Sequence, residues 1–289
     1  MIKPDAYSNI GKIISEVNRS GFLISRLKMS RFGAAQAGVF YGEHKGKPFF
    51  PTLMEFITSD VVVGMELVAE NAVKQWRELL GPTNSTVAKS DAPNSLRGRF
   101  GTDGTRNAAH GSDSGTSTKM LTSAGQSAKR ELGFFFSEDS PMKTSALLNE
   151  CTCCIIKPHA VKDGYAGAII DRILEEGFEI SAMEMFYLDK PTAEEFFEVY
   201  KGVLPEFVPI VEHMTTGACI VLEVRQEKAV ESFRELIGPH DPEIAKVLRP
   251  STLRAQFGLD RVRNAVHCTD LKEDGALECE YFFSIMQGK

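Results

Sequence analysis

The first 150 residues of this 289-residue chain contain no cysteine; all six (Cys151, Cys153, Cys154, Cys219, Cys268 and Cys279) fall in the second half. No signal-peptide pattern opens the sequence, so the thiols are expected to be reduced, in a cytoplasmic setting. CTCC (151–154) matches no common zinc spacing and runs into the apolar CIIKP, so core cysteines are expected rather than a metal or redox site. An excess of positive charge is also lacking. With 33 Lys and Arg against 39 Asp and Glu, the net charge is −6, which argues against non-specific attraction to nucleic acid or anionic lipid. The longest apolar run, VVVGMELVA (61–69), is too short to span a bilayer. No Walker A loop, GxGxxG or HExxH is present, so those routes to nucleotide or metal binding cannot be claimed. What remains is 43% hydrophobic and 25% charged, the make-up of a globular protein long enough for two domains.

The chain says almost everything twice. IKPDAYSNIGKII (2–14) returns as IKPHAVKDGYAGAII (156–170), and RSGFLISRLKM (19–29) as EEGFEISAMEM (175–185). WRELLGPTN (76–84) returns as FRELIGPHD (233–241), and SLRGRFGTDGTRNAAH (95–110) as TLRAQFGLDRVRNAVH (252–267). A nearly constant offset over such long units indicates tandem duplication of one domain rather than a solenoid. The boundaries predicted are a first domain over 1–138, a polar linker over 139–150 and a second domain over 151–289.

Within each copy the hydrophobic period alternates. IGKIISEVNRSG carries apolar residues at helical spacing and stops at Gly21; FLISRLKM alternates as a strand. FFPTLMEFIT reads as a helix, DVVVGMELV as a strand, and NAVKQWRELLG as a helix closed by Gly81. The second copy repeats the order, with strands near CTCCII, FEISAMEMF and GACIVLEV. The fold class is therefore α+β: two ferredoxin-like βαββαβ domains, each an antiparallel sheet with helices on one face. The first copy starts at Met1-Ile2, where a central strand would be cut short, and the natural protein is expected to continue upstream.

The first copy offers Lys3, Tyr41, Arg77, Thr83, Arg97, Asn107, His110 and Ser112 as polar candidates. Guanidinium forks and a lysine suit a polyphosphate, and a histidine among them could take a phosphoryl group as a covalent nucleophile. Phe49 and Phe50, beside Pro48, offer a ring for a base to stack on. Taken singly, each has a plainer reading as a core or solvated residue. The recurrence of polar types as Lys157, Tyr200, Arg234, Arg254, Asn264 and His267, where packing does not require them, shifts the balance.

IKPDA, FYGEHKGKPFF, LGPTN, LRGRFG and NAAHGSDS (107–114) together resemble the nucleoside diphosphate kinase family, through nearly all of both copies. The tandem arrangement, with HCTDLKEDG (267–275), resembles the nucleoside diphosphate kinase 7 type, in which two kinase-like domains follow an N-terminal DM10 domain that this chain is expected to lack. The resemblance implies ping-pong transfer of the γ-phosphate from a nucleoside triphosphate, ATP among them, to a nucleoside diphosphate, with Mg²⁺. It implies that His110 is the phosphorylated nucleophile, and that Lys3, Tyr41 and Asn107 contact sugar or phosphate. Phe49 and Leu53 would hold the base, Arg77, Thr83 and Arg97 the phosphates, while Ser112 and Glu131 would steady the imidazole. The tandem type is also associated with the γ-tubulin ring complex and ciliary microtubule doublets, which implies a location at cilium axoneme or centrosome. A structural role there, with little or no catalysis, is the alternative to the enzyme reading.

Departures from the family pattern cluster in the second copy. It keeps Lys157, Tyr200, Arg234, Arg254, Asn264, His267 and Glu278, with Phe207 as the stacking ring one residue nearer the tyrosine. His240 replaces the phosphate-binding threonine, and Cys268-Thr269 replaces Gly-Ser after the histidine; a β-carbon at Cys268 is expected to restrict a turn that glycine takes freely. In the first copy GTSTKMLTSAGQ (115–126) is expected to form a surface loop, and the stretch between Asn84 and Arg97 is longer than usual. The first site is expected to be competent and the second weak or silent.

Overall fold

A computed structural model describes residues 1–112 and 120–288, and the backbone packing divides the chain into two compact units, Met1–Ser145 and Ala146–Lys289. In the first unit, α1 (Ile10–Arg19) buries Ile10, Ile13, Ile14 and Val17 along one stripe and ends before Gly21, whose φ of 82° lets the chain reverse into β1 (Leu23–Arg31). Then come α2 (Ala34–Phe40), α3 (Phe50–Ile57), β2 (Val61–Val68) and α4 (Ala72–Leu80). Next are α5 (Ser85–Asp91), α6 (Leu96–Phe100) and α7 (Met120–Phe136). β1 and β2 pair antiparallel. Ile2 bridges Val63 on one side and Ala109 on the other, so the first strand position of the unit is held by two isolated bridges and the fourth by one.

The second unit shows the same plan in full. β3 (Cys151–Ile156) leads through α8 (Pro158–Lys162) and α9 (Ala166–Glu175) to β4 (Glu179–Phe186), then through α10 (Lys190–Phe196) and α11 (Phe207–Met214) to β5 (Cys219–Arg225). α12 (Ala229–Ile237), α13 (Pro242–Leu248) and α14 (Leu253–Phe257) precede β6 (Val266–Cys268) and α15 (Gly275–Glu280). The order β4-β5-β3-β6, antiparallel throughout, is the ferredoxin-like arrangement.

Helices cover both faces of this sheet rather than one. Cys151, Cys153, Ile155, Ala182 and Val221 pack with Ile210, Val211, Met214, Cys279 and Phe282. The alternate residues Cys154, Ile156 and Leu222 are equally buried on the other side, where α12 lies against β3. β3 is therefore buried at all six positions, and its cysteines serve as small core side chains; all six thiols are free and buried. Burial pushes the Cys154 and Cys268 thiols up from their ordinary pKa, which makes them poor nucleophiles.

The loop expected over 115–126 is corrected in part: residues 120–126 belong to α7, while 115–119 lie outside the described residues. The long stretch after Asn84 is also helical. The Asn84 side chain accepts the Thr86 N–H at 2.9 Å and starts α5, and Ser95 caps α6.

Candidate active site

Every first-copy candidate except Phe50, Ser112 and Glu131 lines one cleft with a cavity volume of about 590 Å³, and Phe50 packs against the core instead. Its floor is set by a backbone feature present in both units. Ala108 has φ 64° and Ala265 φ 68°, a left-handed conformation costly for a residue with a β-carbon. The Lys3 N–H donates to the Ala108 carbonyl at 2.9 Å, and the Ala108 N–H donates to the Asp5 carboxylate at 2.9 Å. Pinned there, the chain presents Asn107 and His110 to the same cleft.

The polar groups interlock. Lys3 Nζ donates to Asn107 Oδ1 at 2.7 Å, and Asn107 Nδ2 donates to the Thr83 carbonyl at 2.8 Å. Arg97 donates to the carbonyls of Gly81 (3.0 Å) and Ala109 (3.2 Å), and to Thr83 Oγ1 at 3.4 Å. Burial, then the Arg97 charge, lowers the Lys3 pKa to about 8; burial, then Arg77, lowers Arg97 to about 10. Cations held this close form a cradle whose mutual repulsion an oligophosphate would relieve. At the mouth, Phe49 is 46% exposed and meets His44 edge-on at 5.6 Å, with Leu53 buried beside it.

His110 stands against this cradle. Its Nε2 lies 3.0 Å from Glu131 Oε2, which also accepts the Ser112 hydroxyl at 2.8 Å. A carboxylate only accepts, so Nε2 carries the proton and Nδ1 keeps the lone pair. Burial lowers the His110 pKa despite Glu131, which keeps the ring neutral. Burial opposes ionisation of Glu131, but its bonds to His110 and Ser112 hold its pKa below the usual carboxylate value. Phe40 (5.4 Å) and Tyr41 (5.7 Å) present their ring edges to the imidazole. Tyr41 is buried, and its hydroxyl has no partner among the described residues.

Two contributors escaped the sequence reading. His44 stacks on Tyr41 at 6.1 Å, and the Trp76 indole N–H donates to the His110 carbonyl at 3.3 Å. The trace of the second lay in the paired copies, because Trp76 and Gly111 change together to Phe233 and Cys268.

The second cleft is half the size, about 290 Å³, and its candidates need two corrections. Helix α2 is followed by Tyr41 and α10 by Phe197, so Phe197 takes the place of Tyr41 and Tyr200 that of His44. Phe207 opens α11 as Phe50 opens α3, so it packs in the core and does not line the cleft. The position of Phe49 is taken by Glu206, whose carboxylate pairs with Arg261 at 2.9 Å. The segment from Tyr200 to Phe207 is thus one residue longer than its counterpart from His44 to Phe50, and pairing the copies by tyrosine slips the register.

The phosphate end survives. Arg254 donates to the Gly238 (3.1 Å) and Val266 (3.3 Å) carbonyls as Arg97 does to its counterparts, and Lys157 Nζ donates to the Val262 carbonyl at 2.9 Å. Asn264 Nδ2 donates to the His240 carbonyl at 3.0 Å. His267 Nε2 lies 2.9 Å from Glu278 Oε2, which accepts the Thr269 hydroxyl at 3.0 Å. The His267 side chain is only 7% exposed, against 18% for His110. Asp270 crosses this cleft, pairing with Arg234 and accepting the Tyr200 hydroxyl at 2.6 Å.

Cys268 costs nothing in backbone conformation. It lies in extended β6, and Gly111 itself has no left-handed φ. What excludes a β-carbon at Gly111 is Trp76, whose Cδ1 and Nε1 would lie 2.6 Å from it.

Among the described residues no helix is long and apolar enough to cross a membrane, and no group of three or more His, Cys, Asp or Glu could hold a metal ion. The family profile described as nucleoside diphosphate kinase matches residues 1–140 and 150–287. The chain is 48% identical over 289 residues to "Nucleoside diphosphate kinase homolog 7" of Rattus norvegicus, covering 99% of this chain and 70% of that protein. It is 44% identical over 135 residues to the nucleoside diphosphate kinase of Aquifex aeolicus, which covers 47% of this chain and 94% of that one. A crystal structure of the Aquifex aeolicus enzyme aligns with a TM-score of 0.45 and 38% identity, covering 48% of this chain and 97% of its own. The chain belongs to the nucleoside diphosphate kinase family.

Proposed function

We propose that the first unit is a working nucleoside diphosphate kinase that passes a γ-phosphoryl group through His110. The observation that carries this reading is the imidazole itself: Nε2 is held by Glu131, leaving Nδ1 as the free lone pair beside the cationic cradle. In the first half-reaction Nδ1 attacks the γ-phosphorus, the bond from that phosphorus to the β–γ bridging oxygen breaks, and the nucleoside diphosphate leaves with the bond's electrons. In the second, the terminal phosphate oxygen of another nucleoside diphosphate attacks the same phosphorus, and the N–P electrons return to Nδ1. Lys3, Arg77 and Arg97 neutralise charge on the oxygens, Glu131 steadies the Nε2–H as the ring becomes cationic, and Mg²⁺ enters on the nucleotide as part of the substrate.

Incubation with γ-labelled ATP tests this. An acid-labile phosphoenzyme that discharges to added nucleoside diphosphate is expected; label retained after acid treatment, or unmoved by acceptor, would sink the reading.

The base side is expected to act through stacking. Phe49→Ala should raise KM for ADP about tenfold and leave kcat within about twofold, since base–aromatic stacking is worth about 1–3 kcal/mol. Steady-state kinetics of the substituted chain decide it: an equal fall in kcat would place Phe49 in the transfer step instead.

A further inference from the structure

The second cleft has lost one half of a nucleotide site and kept the other. Where Phe49 offers a ring, Glu206 is tied to Arg261, which is itself within 3.4 Å of Asp241. An ion pair there presents a charged, polar surface with no aromatic ring for a base to stack on. At the opposite end Arg254 keeps the same two carbonyl anchors as Arg97, so its guanidinium is set in the same way. His240 puts an imidazole donor where the first unit has the Thr83 hydroxyl. Its Nδ1 lies 3.3 Å from Asn264 Nδ2, which only donates, so Nε2 carries the proton, and that atom is buried without a partner among the described residues. Arg254 Nε is likewise buried with no partner among the described residues. Asp270 already places a carboxylate on Arg234, the position an external anion would take.

We propose that the second cleft is a binding site for a phosphate-class oxyanion without a nucleobase, held by Arg254, His240 and Lys157, with Asp270 as the internal competitor it displaces from Arg234. The site is separate from the His110 cleft and stands whether or not that cleft transfers phosphate. Two oxyanion groups in a row suit the spread of donors from Lys157 to Arg234, so pyrophosphate is the probe. Burial, then Arg254 and Lys157, lowers the His240 pKa to about 4, so an anion beside it would draw that value upward.

Calorimetry on the full chain carrying Arg97→Gln and Phe49→Ala, which removes the phosphate anchor and the stacking ring of the first cleft together, separates the two sites. Pyrophosphate is expected to bind one site, ADP no tighter than pyrophosphate, and a further substitution, Arg254→Gln, to weaken pyrophosphate about tenfold or more. Asp270→Asn should tighten it severalfold. ADP binding threefold or more tighter than pyrophosphate would show a functioning base slot and overturn the proposal. So would pyrophosphate binding that is absent, that ignores Arg254→Gln, or that weakens with Asp270→Asn. Because the Arg254 variant could fold poorly, NMR of the His240 imidazole in the unsubstituted chain gives an independent reading. Its protonation midpoint must rise with pyrophosphate, and a midpoint unmoved at saturation places the anion elsewhere.

Discussion

Replacing His110 with alanine is expected to lower phosphoryl transfer by about 10⁴-fold or more, the scale on which loss of a covalent nucleophile acts. The chain has no substitute at that point. Tyr41, the neighbouring hydroxyl, is buried, and burial holds its pKa far above the ordinary phenol value, so it supplies no anion. Ser112 spends its hydroxyl proton on Glu131, on the Nε2 side of the ring. What would survive in the alanine variant is binding, because Lys3, Arg97 and Asn107 are anchored to one another and to backbone carbonyls, not to the imidazole. KM for nucleotide should therefore move much less than kcat. His267→Ala should leave turnover within about twofold, since that ring is less exposed and faces a cleft without a base slot. The pH profile gives a second readout. The His110 pKa lies below its ordinary value, so the neutral nucleophile persists as pH falls through 6.5, and turnover should stay level there. Turnover in the alanine variant within tenfold of the parent would remove His110 from the reaction.

The duplicated pattern made the fold readable. Alternation marked the strands, helical spacing and Gly21 marked the first helix, and the observed strand order follows from those elements. Much of the first cleft was legible too, because Lys3, Asn107, Arg97 and His110 are polar residues kept where a core would not need them, and the structure brings them together. Reading failed where meaning depends on contact through space. Tyr200 looks like Tyr41 in sequence, yet the ends of α2 and α10 give that place to Phe197. An extra residue in an exposed turn then hides the replacement of Phe49 by Glu206. Residues 120–126 are rich in small and polar side chains, which suit a loop by composition, yet they open a helix that continues through the apolar Leu132–Phe136. Composition describes local preference, while the apolar end of α7 docks in the core through Phe135.

Gly111→Cys, which gives the first unit the residue of the second, is expected to destabilise that unit by about 3 kcal/mol and to lower turnover. The added β-carbon would lie 2.6 Å from the Trp76 indole and 2.8 Å from Leu80 Cδ1, both buried side chains that would have to shift. Displacing the indole also breaks its N–H bond to the His110 carbonyl, one of the contacts that fix the nucleophile. Trp76→Phe alone should cost about 1–2 kcal/mol, through that bond and the volume lost. The two changes together should cost less than Gly111→Cys alone, because Phe233 and Cys268 already coexist in the second unit, with Phe233 fully buried. The resulting coupling, about 1–2 kcal/mol or more in favour of the pair, is the signature of a steric contact rather than of a backbone turn that only glycine can take. Urea midpoints of the four proteins, followed by circular dichroism, measure it. If the two single losses simply add, the contact is not the reason for glycine, and the difference between the two histidine sites must be sought in the backbone.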